Sequence, residues 1–268
     1  FPLIPCRKCD QCLQEKYEMC RDYDYLGSRS DGAFAEYVSV PVSSLTELPD
    51  GVSYEAAAML EPMAVAVHAI RQAVDLKETD RDKRIAVYGL GTIGLFVLMF
   101  LKGEGFDNII VIGNKEEQKK RACGLFDDEG SYYDGRDPDV SDKIRAAGGA
   151  DIVFECVGRN ETLEGALKII RPSGSLVTIG NPYGDMTLKR DIYWKILRDQ
   201  LTLKGTWNSS FTGRSDDDWH YVLGRLKNGR IDPSVFISHR YPLKDLDKGL
   251  MLMRDKLGPY VKVMVHMV

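Results

Sequence analysis

Apolar and polar positions follow three different rhythms along this chain. In the middle, Ile85 to Tyr88 forms a short continuous apolar run, which predicts a strand buried on both faces. The chain then turns through Gly89, Gly91 and Gly94 into the apolar run Leu95 to Leu101, a predicted buried helix, and a second apolar strand follows from Asn108 to Ile112. Asn114 and Glu117 have the spacing of an N-cap and its third-position partner, so a helix is expected to open there. Further strands are predicted at Ala150 to Phe154, Ser175 to Ile179 and Leu201 to Gly205. A helix from Glu161 to Ile170 stops at Arg171-Pro172-Ser173-Gly174. Strands alternating with helices from Arg84 to about Gly205 predict an α/β fold with a parallel, doubly wound sheet. The flanks read differently. After the Asp31-Gly32 turn, Phe34, Glu36, Val38 and Val40 alternate with Ala35, Tyr37 and Ser39, as in an antiparallel strand. A helical pattern starts after Ser53, runs into Glu61-Pro62 and resumes from Met63 to Ala73. Beyond Ser215 come two amphipathic helices, Asp216 to Leu226 and Leu243 to Arg254, and a closing strand, Tyr260 to Val265.

Composition narrows the function more than the fold. With 268 residues and 44% hydrophobic content the chain can bury a large core, and its length predicts two domains. No apolar run reaches the length of a membrane span, and no basic segment with an adjoining apolar core opens the sequence, so a cytoplasmic protein is expected. The net charge is −4, with both signs mixed throughout. Neither nucleic acid nor an anionic membrane is therefore an expected partner, and small molecules are. The first residue is Phe1 and a cysteine cluster follows almost at once, from which we expect a fragment or processed product.

Two motifs carry chemistry. In Gly89-Leu-Gly-Thr-Ile-Gly94 the first glycine suits a tight turn, Gly91 lets backbone approach a pyrophosphate, and Gly94 lets the helix pack on the strand. Thr92 and Ile93 at the helix N-terminus would offer N–H donors to the anion. Cofactor contacts are then expected at the C-terminal ends of the strands: Gly89 to Gly94, Gly113, Cys156, Val157, Ile179 and Gly180. The second motif is Cys6, Cys9, Cys12 and Cys20 in polar surroundings, four thiols that can enclose a tetrahedral zinc and leave no open position. Disulfides are the alternative, which the expected reducing compartment disfavours. Glu61 stands in an otherwise apolar helical stretch. It either caps the helix beginning at Pro62 or is kept buried by a cation.

In chain order, the cysteine lobe, Asp31-Gly-Ala-Phe-Ala-Glu-Tyr37, Leu60-Glu61-Pro62, the glycine turn and Lys262-Val-Met264 resemble the zinc-dependent medium-chain dehydrogenase/reductases. Leu60-Glu61-Pro62 resembles their polyol branch, and Leu26-Gly-Ser-Arg-Ser-Asp-Gly32 and Gly205-Thr-Trp-Asn208 resemble members acting on polyol phosphates. The resemblance implies a partial GroES-like catalytic domain (1–67 with the zinc lobe, and 209–268) interrupted by a Rossmann domain (68–208). It implies oxidation of a secondary alcohol of a polyol or polyol phosphate to a ketone by NAD or NADP at a catalytic zinc, in a homodimer or homotetramer. Glu61 falls at a position that contacts that zinc directly or through water. Asn208 falls beside the cofactor, and Lys262 near its pyrophosphate.

Two departures alter these expectations. The family's other catalytic-zinc ligands lie in Cys-Gly-x-Asp and Gly-His-Glu segments, and this sequence has neither; none of His68, His220, His239 and His266 lies in such a setting. One carboxylate cannot hold a catalytic zinc, so the parent protein is expected to be the enzyme and this chain to be inactive. Relatives that use NAD carry an acidic residue where this chain has Gly113, followed by Asn114 and Lys115. Without that carboxylate, Lys115 or Lys119 can pair with a 2′-phosphate, and NADP is expected over NAD. Two other readings are a non-catalytic NADP(H)-binding sensor or interaction module, and a zinc-free reductase, which the cysteine lobe and Glu61 oppose.

Overall fold

The computed structural model describes residues 1–76, 81–125 and 131–267. It divides into two compact units, one formed by Phe1–Val65 with Trp207–Val268 and the other by Ala66–Thr206.

The first unit opens with β1 (Leu3–Ile4), the short helix α1 (Asp10–Leu13) and β2 (Asp24–Tyr25), which pairs antiparallel with β1. The segment predicted as a strand around Phe34 to Val40 is not one. A strand is held by the neighbour that takes its N–H and C=O groups, and among the described residues none pairs with this segment. Its alternation is left in solvent, with Phe34 63% and Tyr37 91% exposed. Then α2 (Tyr54–Ala58) starts where the Ser53 hydroxyl accepts the Ala56 N–H at 3.2 Å. Helix α3 (Leu60–Arg71) already includes Glu61 in its first turn, so Glu61 is not a cap. Proline is tolerated at the next position because first-turn N–H groups have no partner within the helix.

The second unit is built on six parallel strands. Ile85–Tyr88 (β3) is buried along its whole length between β4 (Ile109–Gly113) and a later strand, which accounts for its continuous apolar run. Between them lies α4 (Thr92–Gly103), buried from Gly94 to Leu101. Helix α5 (Glu116–Cys123) has Lys115, not Asn114, at its N-cap, and no side chain caps it. The chain stays extended through Lys115 (φ −126°, ψ 132°), so the Asn114–Glu117 spacing closes no capping box. Next come β5 (Tyr132–Asp134), α6 (Val140–Ala146), β6 (Ala150–Glu155), α7 (Asn160–Ile169), β7 (Ile170–Thr178), α8 (Arg190–Arg198) and β8 (Thr202–Gly205). The strand β7 starts directly after α7. It absorbs the predicted stop at 171–174 as a register shift, with Ser173 at φ 63°.

The strand order is β5-β4-β3-β6-β7-β8, with every neighbouring pair parallel. The chain runs outward from β3 one way, then from β6 the other, leaving a switch point between them. One face of the sheet is covered by Val140 and Ile144 of α6, Ala166 and Leu167 of α7, and Ile192 of α8, packed on Ala86, Ile110 and Val153. The return to the first unit supplies α9 (Asp218–Lys227), β9 (Ile237–Pro242), α10 (Leu246–Arg254) and β10 (Lys262–His266), the last pairing parallel with β9. Among the described residues no helix is long and apolar enough to cross a membrane.

Candidate functional site

In the second unit the three motif glycines meet three different demands. Gly89 adopts φ 97°, and a Cβ there would stand 2.4 Å from Val157 Cγ2. A Cβ on Gly94 would lie 1.9 Å from the Gly89 carbonyl oxygen, so the start of α4 rests directly on the turn. At Gly91 a Cβ would meet nothing within 4 Å, and no side chain caps α4. The turn is thus closed beneath and open above, at a helix N-terminus and beside the switch point, which fits a pyrophosphate.

To one side, β4 ends at Gly113, where a Cβ would approach Leu90 Cδ1 to 2.7 Å. Asn114 and Lys115 are exposed. Lys119 projects from α5 with its ammonium 5.2 Å from the centre of the Tyr132 ring. Gly113 pairs in register with Asp134, which the Arg136 guanidinium grips through Nε (2.9 Å) and Nη2 (2.6 Å). Hydrogen bonds from that guanidinium and from the Arg136 N–H pull the Asp134 carboxyl down to about 2. Neither Asp134 nor Arg136 was among the expected site residues, although Asp134-Gly135 directly after Tyr132-Tyr133 marks a strand end. To the other side, Ile93, Cys156, Val157, Ile179, Gly180 and their neighbours Asn181 to Tyr183 line a cleft of about 350 Å³. Burial pushes the Cys156 thiol up, and the charge of Glu155 adds to this, so Cys156 is a small apolar wall here.

The first unit contains the cysteine cluster. All four Sγ atoms lie within 4.8 Å of one another, with Cys6–Cys12 at 3.9 Å and Cys9–Cys20 at 4.0 Å. Those separations exclude disulfides. Ligands about 2.3 Å from a tetrahedral zinc stand about 3.8 Å apart, so the donor set fits the metal. Hydrogen bonds from the backbone of Arg21 and Cys12 draw the Cys9 thiol down to about 6, while burial pushes Cys12 up to about 12. Among the described residues no other group of three or more His, Cys, Asp or Glu side chains gathers in this way.

Glu61, Asn208 and Lys262 also belong to the first unit. The Tyr25 hydroxyl donates to Glu61 Oε1 at 3.1 Å, and the Asn208 side chain hydrogen-bonds to Tyr25. Burial raises the Glu61 carboxyl above its ordinary value; the Tyr25 hydrogen bond and the Lys262 charge oppose that shift. Burial lowers Lys262 in turn, against the pull of Glu61. The contacts of Asn208 and Lys262 are thus with the Glu61 cluster. Tyr25, 36 residues from Glu61, gave no local signal in the sequence. Arg29 lies over the Tyr23 ring at 3.8 Å and donates to the Tyr23 carbonyl at 2.6 Å.

Comparison with known proteins agrees with both halves of this picture. Galactitol 1-phosphate 5-dehydrogenase of Escherichia coli (strain K12) is 29% identical over 241 residues, covering 89% of this chain and 68% of that protein. L-threonine 3-dehydrogenase of Bacillus licheniformis is 29% identical over 253 residues, 94% of this chain and 70% of that one. The crystal structure of galactitol-1-phosphate dehydrogenase from Escherichia coli superposes with a TM-score of 0.85 at 28% identity, over 98% of this chain and 75% of that one. A model of the alcohol dehydrogenase GroES-like domain matches residues 1–50. The zinc-binding dehydrogenase model matches residues 92–228, just over half of the sequence, and the chain is a member of that oxidoreductase family, with a Rossmann sheet joined to GroES-like segments.

Proposed function

We propose that this chain carries the NADP-binding and structural-zinc parts of a dehydrogenase that oxidises a secondary alcohol of a polyol or polyol phosphate, galactitol 1-phosphate or a close analogue, to a ketone. The observation that carries this reading is the glycine turn, closed beneath by the Gly94–Gly89 contact and open above at Gly91. Gly89, Gly91, Thr92, Ile93 and Gly94 hold the pyrophosphate. Lys115 and Lys119 face the adenosine end, where Gly113 offers no carboxylate to repel a 2′-phosphate. Cys156, Val157, Ile179 and Gly180 wall the nicotinamide end. Cys6, Cys9, Cys12 and Cys20 hold zinc, which ties the lobe together. Residues 1–67 and 209–268 form the GroES-like catalytic domain and 68–208 the Rossmann domain of a cytoplasmic homodimer or homotetramer.

A catalytic zinc, where its ligand set is complete, would supply a Lewis acid to the alcohol oxygen. Glu61 is the residue of this chain suited to meet that zinc, and alone it does not retain one. The chain itself therefore binds cofactor without turning over alcohol. Titration with NADPH and NADH, with zinc analysis and an assay on polyols and polyol phosphates, tests this. Expected are about one zinc per chain, tighter NADPH than NADH binding, and no turnover. Replacing Lys115 and Lys119 by Glu should weaken NADPH about tenfold and leave NADH unchanged. Turnover by the unmodified chain, or equal effects on both cofactors, would refute the respective part.

A further inference from the structure

Glu155 ends β6 only 2% exposed, and its side chain ties the turn that follows the strand to the first turn of α7. Its Oε1 accepts the Val157 N–H at 2.9 Å, the Gly158 N–H at 3.0 Å and the Thr162 hydroxyl at 2.8 Å, while Oε2 accepts the Gly158 N–H at 3.1 Å. An ionised carboxylate is the side chain suited to this, because it only accepts and offers several lone pairs. The turn it holds is wedged from both sides. A Cβ on Gly89 would strike Val157, one on Gly158 would come within 2.0 Å of the Asn181 oxygen, and one on Gly180 within 2.1 Å of the Gly158 nitrogen. The Glu155 carbonyl meanwhile accepts the Ile179 and Gly180 N–H groups at 2.8 and 3.0 Å. One residue therefore anchors both turns that line the cleft on the β6–β7 side of the switch point.

We infer that Glu155 is a positioning residue for the nicotinamide half of the cofactor: from below, it fixes the height of Val157 against the glycine turn and the 179–180 turn. The inference rests on the dinucleotide reading of this unit. The adenosine half lies towards β4, so the half that crosses the switch point reaches the turns Glu155 anchors. Replacing Glu155 by Gln keeps its size but turns one acceptor into a donor facing backbone N–H groups. The Val157 turn then shifts while the Gly113 side stays in place.

The test compares ligands with and without nicotinamide. Affinities for NADPH and NADH are measured beside 2′-phospho-ADP-ribose and ADP-ribose, for the unmodified chain and for Glu155→Gln, with zinc content and melting temperature alongside. The expected result is about tenfold or greater loss for the nicotinamide-bearing ligands and less than about twofold for the truncated ones. Equal loss for both kinds of ligand marks a merely structural residue and overturns the inference, as does no loss at all. If Glu155→Gln does not fold, Thr162→Val decides; it removes one hydrogen bond to Glu155 together with the bond the Thr162 hydroxyl accepts from the Arg159 N–H at the start of α7. It should show the same selectivity at about threefold, and its absence counts against the inference. If the unmodified chain binds none of the four ligands, the dinucleotide reading itself fails and the inference falls with it. If it binds them and the variants behave like it, only the inference fails.

Discussion

The cysteine lobe and the Glu61 cluster sit in the same compact unit, and each gathers polar side chains that would be costly to leave unpartnered. The lobe does it with four identical soft donors converging on one point, a complete set with no room for a further ligand. The Glu61 cluster has one carboxylate answered by a phenol, an ammonium and, through the phenol, an amide. Its charge is only partly offset by these groups, and the carboxyl stays above its ordinary value. The difference teaches that buried polar groups are not equivalent: four converging donors make a metal site, whereas a lone buried carboxylate is an electrostatic cost that its neighbours only partly offset.

The largest effect should follow from breaking the lobe. Cys12→Ser replaces a buried thiol and should take zinc from about one per chain to less than a tenth of that, with the loop over residues 6–20 becoming cleavable by protease. Full zinc retention in elemental analysis would mean that three thiols suffice. Next in size, Lys262→Met removes the cation that opposes the raised Glu61 carboxyl. It should cost about 2 kcal/mol of stability at pH 7.5 in urea melts, below the full cost of breaking a wholly buried pair. That loss should shrink towards pH 4.5, where Glu61 takes up a proton.

The smallest effect is that of Glu61→Gln. Because the folded carboxyl sits above its unfolded value of about 4.3, its favourable contribution is complete below that value and is lost as the pH rises through the folded one. At pH 7.5 the ionised group therefore opposes folding. Gln should be more stable there, with the advantage gone near pH 4. Zinc content should not change; a fall from two ions to one would show that Glu61 retains a metal.

What the sequence revealed follows from how local each signal is. Strands β3 and β4, helix α4 and the cysteine lobe are read from contiguous runs, because their partners are equally apolar or lie within fifteen residues. The short, half-buried β5 and the strongly amphipathic α8 were missed, the first for want of an apolar run and the second because Arg, Lys and Asp interleave with its apolar residues along the sequence. The alternation at Phe34 to Val40 had the right rhythm and, among the described residues, no pairing neighbour. In the candidate site the shape of the glycine turn was legible, in the tight turn at Gly89 and the close packing at Gly94. The Tyr25–Glu61 bond and the four contacts of Glu155 were not, since each depends on where a turn or a distant strand places a side chain.

The contact between Gly113 and Leu90 bears on how this protein can change. A carboxylate at position 113, the simplest route to gripping the ribose hydroxyls of NAD, would push its Cβ to 2.7 Å from a leucine that is itself only 1% exposed. Either the Leu90 side chain must turn aside or a smaller residue must replace it for the acid to fit. Gly113→Asp tried singly should thus be a poorer test of cofactor choice than the same change in a Leu90→Ala background, which has room to succeed.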